Sequence, residues 1–264
     1  MTLPLYWVDA FTSRVFGGNP AAVVPLTAWP DDTVLQKIAF ENGLSETAFF
    51  VRTSEARFNL RWLTPAVEVD LCGHATLASA HVLFNELGQG GDTITFDSRS
   101  GPLVVTRRAD GKLELDFPSL PGTPVAPNPA LAAALGLAPQ QLLLSKRAWL
   151  CVYPNSHDVR SLRPDHAALA RLTPGRFIVT APGESGDCDF VSRFFAPDAG
   201  IVEDPVTGSA HCVLMPYWAA RLGRTALHAR QVSARGGELR CEQVGERTRI
   251  AGDAVLYLRG EIAL

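Results

Sequence analysis

Short runs of apolar and β-forming residues punctuate most of the chain. Residues 7–11, 21–25, 47–52, 57–63, 93–97 and 103–107 form one series. Residues 113–117, 148–153, 177–180, 189–195 and 255–258 form another. Each run is brief and rich in branched or aromatic side chains, which predicts a strand. Asp110-Gly111, between two such runs, is a hairpin signal. Residues 75–87 and 210–222 differ: they are longer and apolar-rich, and they end at Gly88 and Gly223. Glycine is the residue expected just past a helix C-terminus, so both runs read as helices. Pro216 inside the second predicts a kink or a late start.

The two helical runs belong to a repeat. At an offset of 135 residues, Val67-Glu68 recurs as Val202-Glu203, Gly73 as Gly208, Ala75 as Ala210, Leu87-Gly88 as Leu222-Gly223, Ser98 as Ser233 and Gly101 as Gly236. Eight identities in one ungapped register, offset by about half the chain, indicate duplication. Many strands, few helices and two halves predict an α+β fold of two similar domains, each a mostly antiparallel sheet wrapped around a central helix. Pro118, Pro121, Pro124, Pro127 and Pro129 mark the linker. The expected halves are 1–118 and 119–256, with a last strand over 257–264 returning to the first. A cleft between the halves is the expected place for a site.

Composition narrows the function. The chain has 264 residues, 47% hydrophobic and 19% charged, with a formal net charge of −3. That suits a folded protein with a real core and no nucleic-acid partner. The first nine residues lack a basic region followed by an apolar one, so no signal peptide is expected. The greasiest stretch, 131–144, is too short and too interrupted to span a membrane. Five cysteines without a CxxC spacing argue against a disulfide framework or a zinc site, and a reducing cytoplasm fits. No phosphate-loop, dinucleotide-binding, nucleophile-elbow or HExxH motif is present, so neither a cofactor nor a metal is expected.

Candidate chemistry gathers at the two helix starts. Cys72-Gly73-His74 and Thr207-Gly208-Ser209 place free backbone N–H groups and the positive end of a helix dipole where an anion such as a carboxylate could sit. The plainer reading is a capping residue and a turn glycine, and recurrence in both halves favours a ligand. His74 could move protons, or be a packed, satisfied histidine. His81 and His211 read as packed. Cys72 could be a thiolate eased by the helix start, or a small buried hydrophobe. Thr207, its counterpart, cannot act as a base. Glu46 precedes an apolar strand and could be a tuned acid–base group, or an exposed turn residue. Asp204, beside Glu203 before Pro205, could hold a substrate amine or hydroxyl or orient His74, or only complement the helix dipole. Asn19 lies in a Gly-Gly-Asn-Pro turn and could hydrogen-bond a substrate.

Taken together, Asp9-Ala10-Phe11-Thr12, Gly18-Asn19-Pro20-Ala21, Leu44-Ser45-Glu46-Thr47, Arg61-Trp62-Leu63-Thr64-Pro65, Cys72-Gly73-His74-Ala75-Thr76 and Glu203-Asp204-Pro205-Val206-Thr207-Gly208-Ser209-Ala210 resemble the PhzF-like phenazine-biosynthesis isomerases. The resemblance runs from residue 9 to about residue 260. It implies the diaminopimelate-epimerase fold, often as a homodimer, and proton-shuffling catalysis on a small carboxylate-bearing molecule without metal or cofactor. Glu46 matches the glutamate that abstracts and returns a proton. His74, Asp204 and Ser209 match residues that bind substrate or assist the transfer, and Gly73 matches a backbone contact. Related amino-acid epimerases use two cysteines, whose places here look like Cys72 and Thr207. One thiol is therefore missing, which leaves Glu46 as the preferred base. A one-thiol epimerase and a carboxylate-binding protein without catalysis are the alternatives.

Overall fold

The computed structural model describes residues 2–184 and 186–264. The chain divides into two compact units, Met1–Asp116 with Ala251–Leu264, and Phe117–Ile250.

In the first unit the strands are β1 (Thr2–Ala10), β2 (Asn19–Leu26), β3 (Glu46–Ser54), β4 (Arg57–Leu63), β5 (Glu68–Val69), β6 (Thr93–Ser98), β7 (Gly101–Arg107) and β8 (Leu113–Pro118). Pairing runs β1–β2 antiparallel, β2–β3 parallel, β3–β4 antiparallel, β4–β6 parallel, then β6–β7–β8 antiparallel. The C-terminal strand Ala254–Ala263 returns to pair antiparallel with β1 along its length. It joins the expected run 255–258 and the expected returning strand 257–264 into one element. Asp110-Gly111 makes the β7–β8 turn, with Gly111 at φ 84°.

Helix α1 (Asp32–Asn42) packs on this sheet. Helix α2 (Gly73–His81) contacts β1, β2, β3 and the C-terminal strand. Every residue of α2 from His74 to His81 is buried, so its polar members need internal partners. Thr76 Oγ1 donates to the Cys72 carbonyl at 2.6 Å and Ser79 Oγ to the Ala75 carbonyl at 2.8 Å. The expected single helix over 75–87 instead starts at Gly73, and its last turn, Val82–Glu86, widens to π geometry. Leu87 N donates to the Val82 carbonyl and Gln89 N to the Leu83 carbonyl, which closes the helix around Gly88.

The second unit repeats the plan. Its strands are β9 (Thr123–Pro124), β10 (Gln141–Leu144), β11 (Trp149–Val152), β12 (Phe177–Pro182), β13 (Phe190–Ala196), β14 (Ile201–Asp204), β15 (Ala226–Gln231), β16 (Gly237–Val244) and β17 (Arg247–Gly252). Here β10–β11 is antiparallel, β11–β12 parallel, β12–β13 antiparallel, β13–β15 parallel and β15–β16 antiparallel. That is the order of pairings β1 to β7 in the first unit. Helices α3 (Pro129–Leu135), α4 (Ser156–Ser161) and α5 (His166–Leu169) contribute to one core with Phe177, Val179 and Phe195. The proline run is not a bare linker: it contains β9, and Asn128 caps α3 by accepting from Leu131 N at 3.1 Å.

Helix α6 (Gly208–Leu222) is the counterpart of α2 and packs on β15 and β16. Pro216 does not delay the start: the helix begins at Gly208 and continues through the proline. The proline has no N–H for the Cys212 carbonyl four residues back, and Leu120 N donates to that carbonyl at 2.8 Å instead. Gly223, at φ 66°, ends the helix.

Candidate active site

The first helix start carries a compact cluster. Cys72 is the N-cap of α2 and makes no side-chain capping bond. His74 then projects among Cys72, Glu46 at the start of β3 and Asn19 at the start of β2. Parallel pairing of Ala21 with Glu46 sets these strand ends side by side. His74 Nε2 lies 3.2 Å from Glu46 Oε2. Asn19 Nδ2 lies 3.1 Å from His74 Nδ1, and Cys72 Sγ is 3.5 Å from Nδ1 and 4.0 Å from Nε2. All four side chains are buried.

These contacts correct several expectations. Glu46 is not an exposed turn residue. Asn19 is past the turn: Phe16 and Gly18 adopt positive φ, Phe16 N donates to Asp9 Oδ2 at 2.9 Å, and Asn19 opens β2 fully buried. Cys72 is not eased toward a thiolate. Burial and the Glu46 carboxylate push its thiol up to about 11, against the smaller pull of His74. Burial draws the His74 pKa down, but the neighbouring Cys72 sulfur and the Glu46 carboxylate outweigh it and hold it well above the ordinary histidine value. In neutral His74, the Asn19 amide donates to Nδ1 and Nε2–H faces Glu46. Once doubly protonated, His74 needs the amide turned so that its oxygen accepts.

The second helix start is built differently. Thr207 is the N-cap of α6, but its hydroxyl is turned away from the helix and donates to Asp204 Oδ2 at 2.5 Å. Gln231 Nε2 donates to the Asp204 carbonyl at 2.7 Å and to Thr207 Oγ1 at 3.2 Å. Gln231 Oε1 accepts from Thr207 N at 2.9 Å. Asp204, Thr207 and Gly208 are buried, whereas Ser209 is exposed and does not cap the helix. Glu203, beside Asp204, is spent on Arg193 at 2.7 and 2.9 Å. Gln231 escaped the sequence reading. Its signal was the 135-residue offset, which places this polar residue where the first unit has the core residue Phe96.

The repeat persists in the supports of both starts. Ser100 Oγ donates to the Asp70 carbonyl and Ser233 Oγ to the Pro205 carbonyl, each three residues before the helix glycine. Thr76 holds the Cys72 carbonyl, and His211, 135 residues on, donates through Nδ1 to the Thr207 carbonyl at 2.9 Å. Burial keeps His211 neutral, with its pKa lowered to about 4. A hollow beside Tyr217 and Arg221 in the second unit contains none of the candidate residues.

The comparisons agree with this architecture. A family model described as PhzC-PhzF, phenazine biosynthesis-like protein, matches residues 8–260. The chain belongs to this family. An uncharacterized isomerase of Pseudomonas aeruginosa is 54% identical, over 100% of both chains. The crystal structure of a PhzF-family phenazine biosynthesis protein from Enterococcus faecalis superposes with a TM-score of 0.96 at 48% identity, covering 100% of both chains. A hydroxyproline epimerase from Agrobacterium vitis, at 11% identity and a TM-score of 0.63 over 100% of this chain and 93% of that one, shares the fold alone. The chain is thus an α+β enzyme of the isomerase class. No described helix is long and apolar enough to cross a membrane.

Proposed function

We propose that this PhzF-family protein moves a proton between carbon atoms of a small carboxylate-bearing substrate, with Glu46 as the base. The buried Glu46–His74 pair, 3.2 Å apart, carries this reading. The Glu46 carboxylate takes the proton from one carbon, and the same carboxyl group returns it to another. His74 orients Glu46 and steadies its charge, and Asn19 fixes the imidazole. Each unit has a helix start without a side-chain cap, Gly73 in the first and Gly208 with Ser209 in the second, and free backbone N–H groups at such a start favour a carboxylate. Asp204, steadied by Thr207, offers an acceptor for a substrate amine or hydroxyl. Cys72 remains a thiol near neutral pH, which favours one carboxylate base over a thiol pair. The family resemblance supports a cytoplasmic homodimer that needs no cofactor.

A panel of anthranilate-like and amino-acid carboxylates, followed by NMR in deuterated water, identifies the substrate. Glu46→Gln should then lower turnover by about 10²–10⁴-fold while carboxylate binding persists. Undiminished turnover refutes Glu46 as base. Rapid deuterium entry at an α-carbon, lost on Cys72→Ala, supports the one-thiol epimerase instead.

A further inference from the structure

The donor set around His74 suits more than a proton. Glu46, Cys72 and His74 each offer a ligand atom, and these atoms lie within 4.8 Å of one another. We propose that Glu46, Cys72 and His74 bind a divalent transition-metal ion of the zinc class. Among the described residues this is the group with such spacing.

One carboxylate, one imidazole and one sulfur form a borderline-soft set that favours zinc-like ions over magnesium or calcium. Bond lengths of about 2.0–2.3 Å place tetrahedral donors roughly 3.3–3.6 Å apart. Nε2 and Oε2 are already 3.2 Å apart, and Sγ, 3.5 Å from Nδ1 and 4.0 Å from Nε2, reaches the same ion when the Cys72 side chain rotates toward Nε2. Glu46 Oε2 is buried and has no hydrogen-bond partner, its close contact being the ion-pair approach of Nε2. On the far side of the ring, Asn19 sits on Nδ1, where metal-bound histidines commonly have an orienting partner.

Charge also balances. Binding displaces the Cys72 thiol proton to solvent. Protonated His74 likewise releases its Nε2 proton to solvent and keeps the Nδ1 hydrogen, which the turned Asn19 amide oxygen accepts. One thiolate, one carboxylate and a divalent cation sum to zero, which a buried site tolerates. The three side chains leave the fourth position to water. A metal there engages the Glu46 lone pair, so the ion inhibits the enzyme. That consequence rests on the proton-shift reading, whereas the binding does not.

The full chain, purified free of metal, is titrated with Co²⁺ and followed by absorption. The expected result is one equivalent bound, with visible bands of a low-coordinate ion and a sulfur-to-cobalt charge-transfer band, all removed by Zn²⁺. Cys72→Ser, checked for folding by circular dichroism, should lose the charge-transfer band. Cys188→Ser, which alters the half-buried thiol of the second unit, should keep it. Glu46→Gln should keep the band with weaker affinity, and Asn19→Ala should weaken binding about 10–100-fold. No binding overturns the proposal. So does a charge-transfer band that survives Cys72→Ser or disappears with Cys188→Ser. Metal binding with no inhibition of an identified turnover would count against Glu46 as base and leave the site standing.

Discussion

His74 has a proton affinity that couples the cluster to pH. The folded chain holds that proton more tightly than the unfolded chain, since the pKa is raised from 6.5. The pair's contribution to stability is therefore complete below the unfolded value near 6.5 and is lost as pH rises through the higher folded value. Urea midpoints across this range should fall with rising pH in the parent, and His74→Gln should flatten that part of the curve. Cys72 predicts a second pH effect. With its thiol near 11, labelling by iodoacetamide should stay slow at pH 8 and quicken only in strongly alkaline solution, read by mass spectrometry of the Cys72 peptide. The residue types of this cluster were legible from the sequence, because Glu46, Cys72 and His74 stand at a strand start and a helix start. Their electrostatic states were not legible. The loss of solvent around Cys72, and the proximity of Glu46 to a sulfur 26 residues away in sequence, exist only after β3 and α2 have packed.

The turn before β2 sets where Asn19 stands. Gly18 has φ +61°, and a Cβ there would lie 2.1 Å from the Ala10 carbonyl oxygen. Gly18→Ala should cost at least about 1–3 kcal/mol, measured by thermal denaturation, and should also move Asn19 off His74, read from the His74 ring signals by NMR. Elements with strong β-formers were readable to within a few residues. Strands β15, β16 and β17 were not: they interleave Arg, Glu, Gln and His with single buried residues such as Leu227, Ala229, Leu239 and Cys241. Such strands are held by pairing with neighbours rather than by their own propensity. Helix α1 also lay outside the sequence reading, although Leu35, Ile38 and Ala39 share one face and Gly43 ends it.

Across the whole molecule, the two units are one plan with two chemistries. The repeat was visible as eight identities, yet the shared sheet order is far more complete than those identities imply, because burial constrains pattern more than residue type. The first unit includes Ala251–Leu264, whose strand pairs with β1 from Thr2 to Ala10. Truncation after Ile250 should therefore abolish the first unit's cooperative melting while the second unit, Phe117–Ile250, still unfolds as a block, as scanning calorimetry can separate. The same strand has a meaning for synthesis. On a ribosome, Phe117–Ile250 has emerged in full before β1 receives its partner, so the unit begun first is the unit finished last. Until then the outer edge of β1 stands open beside the unfinished Glu46–His74 unit. The nascent chain is thus most exposed to edge-to-edge association at a moment when its second half can already be folded.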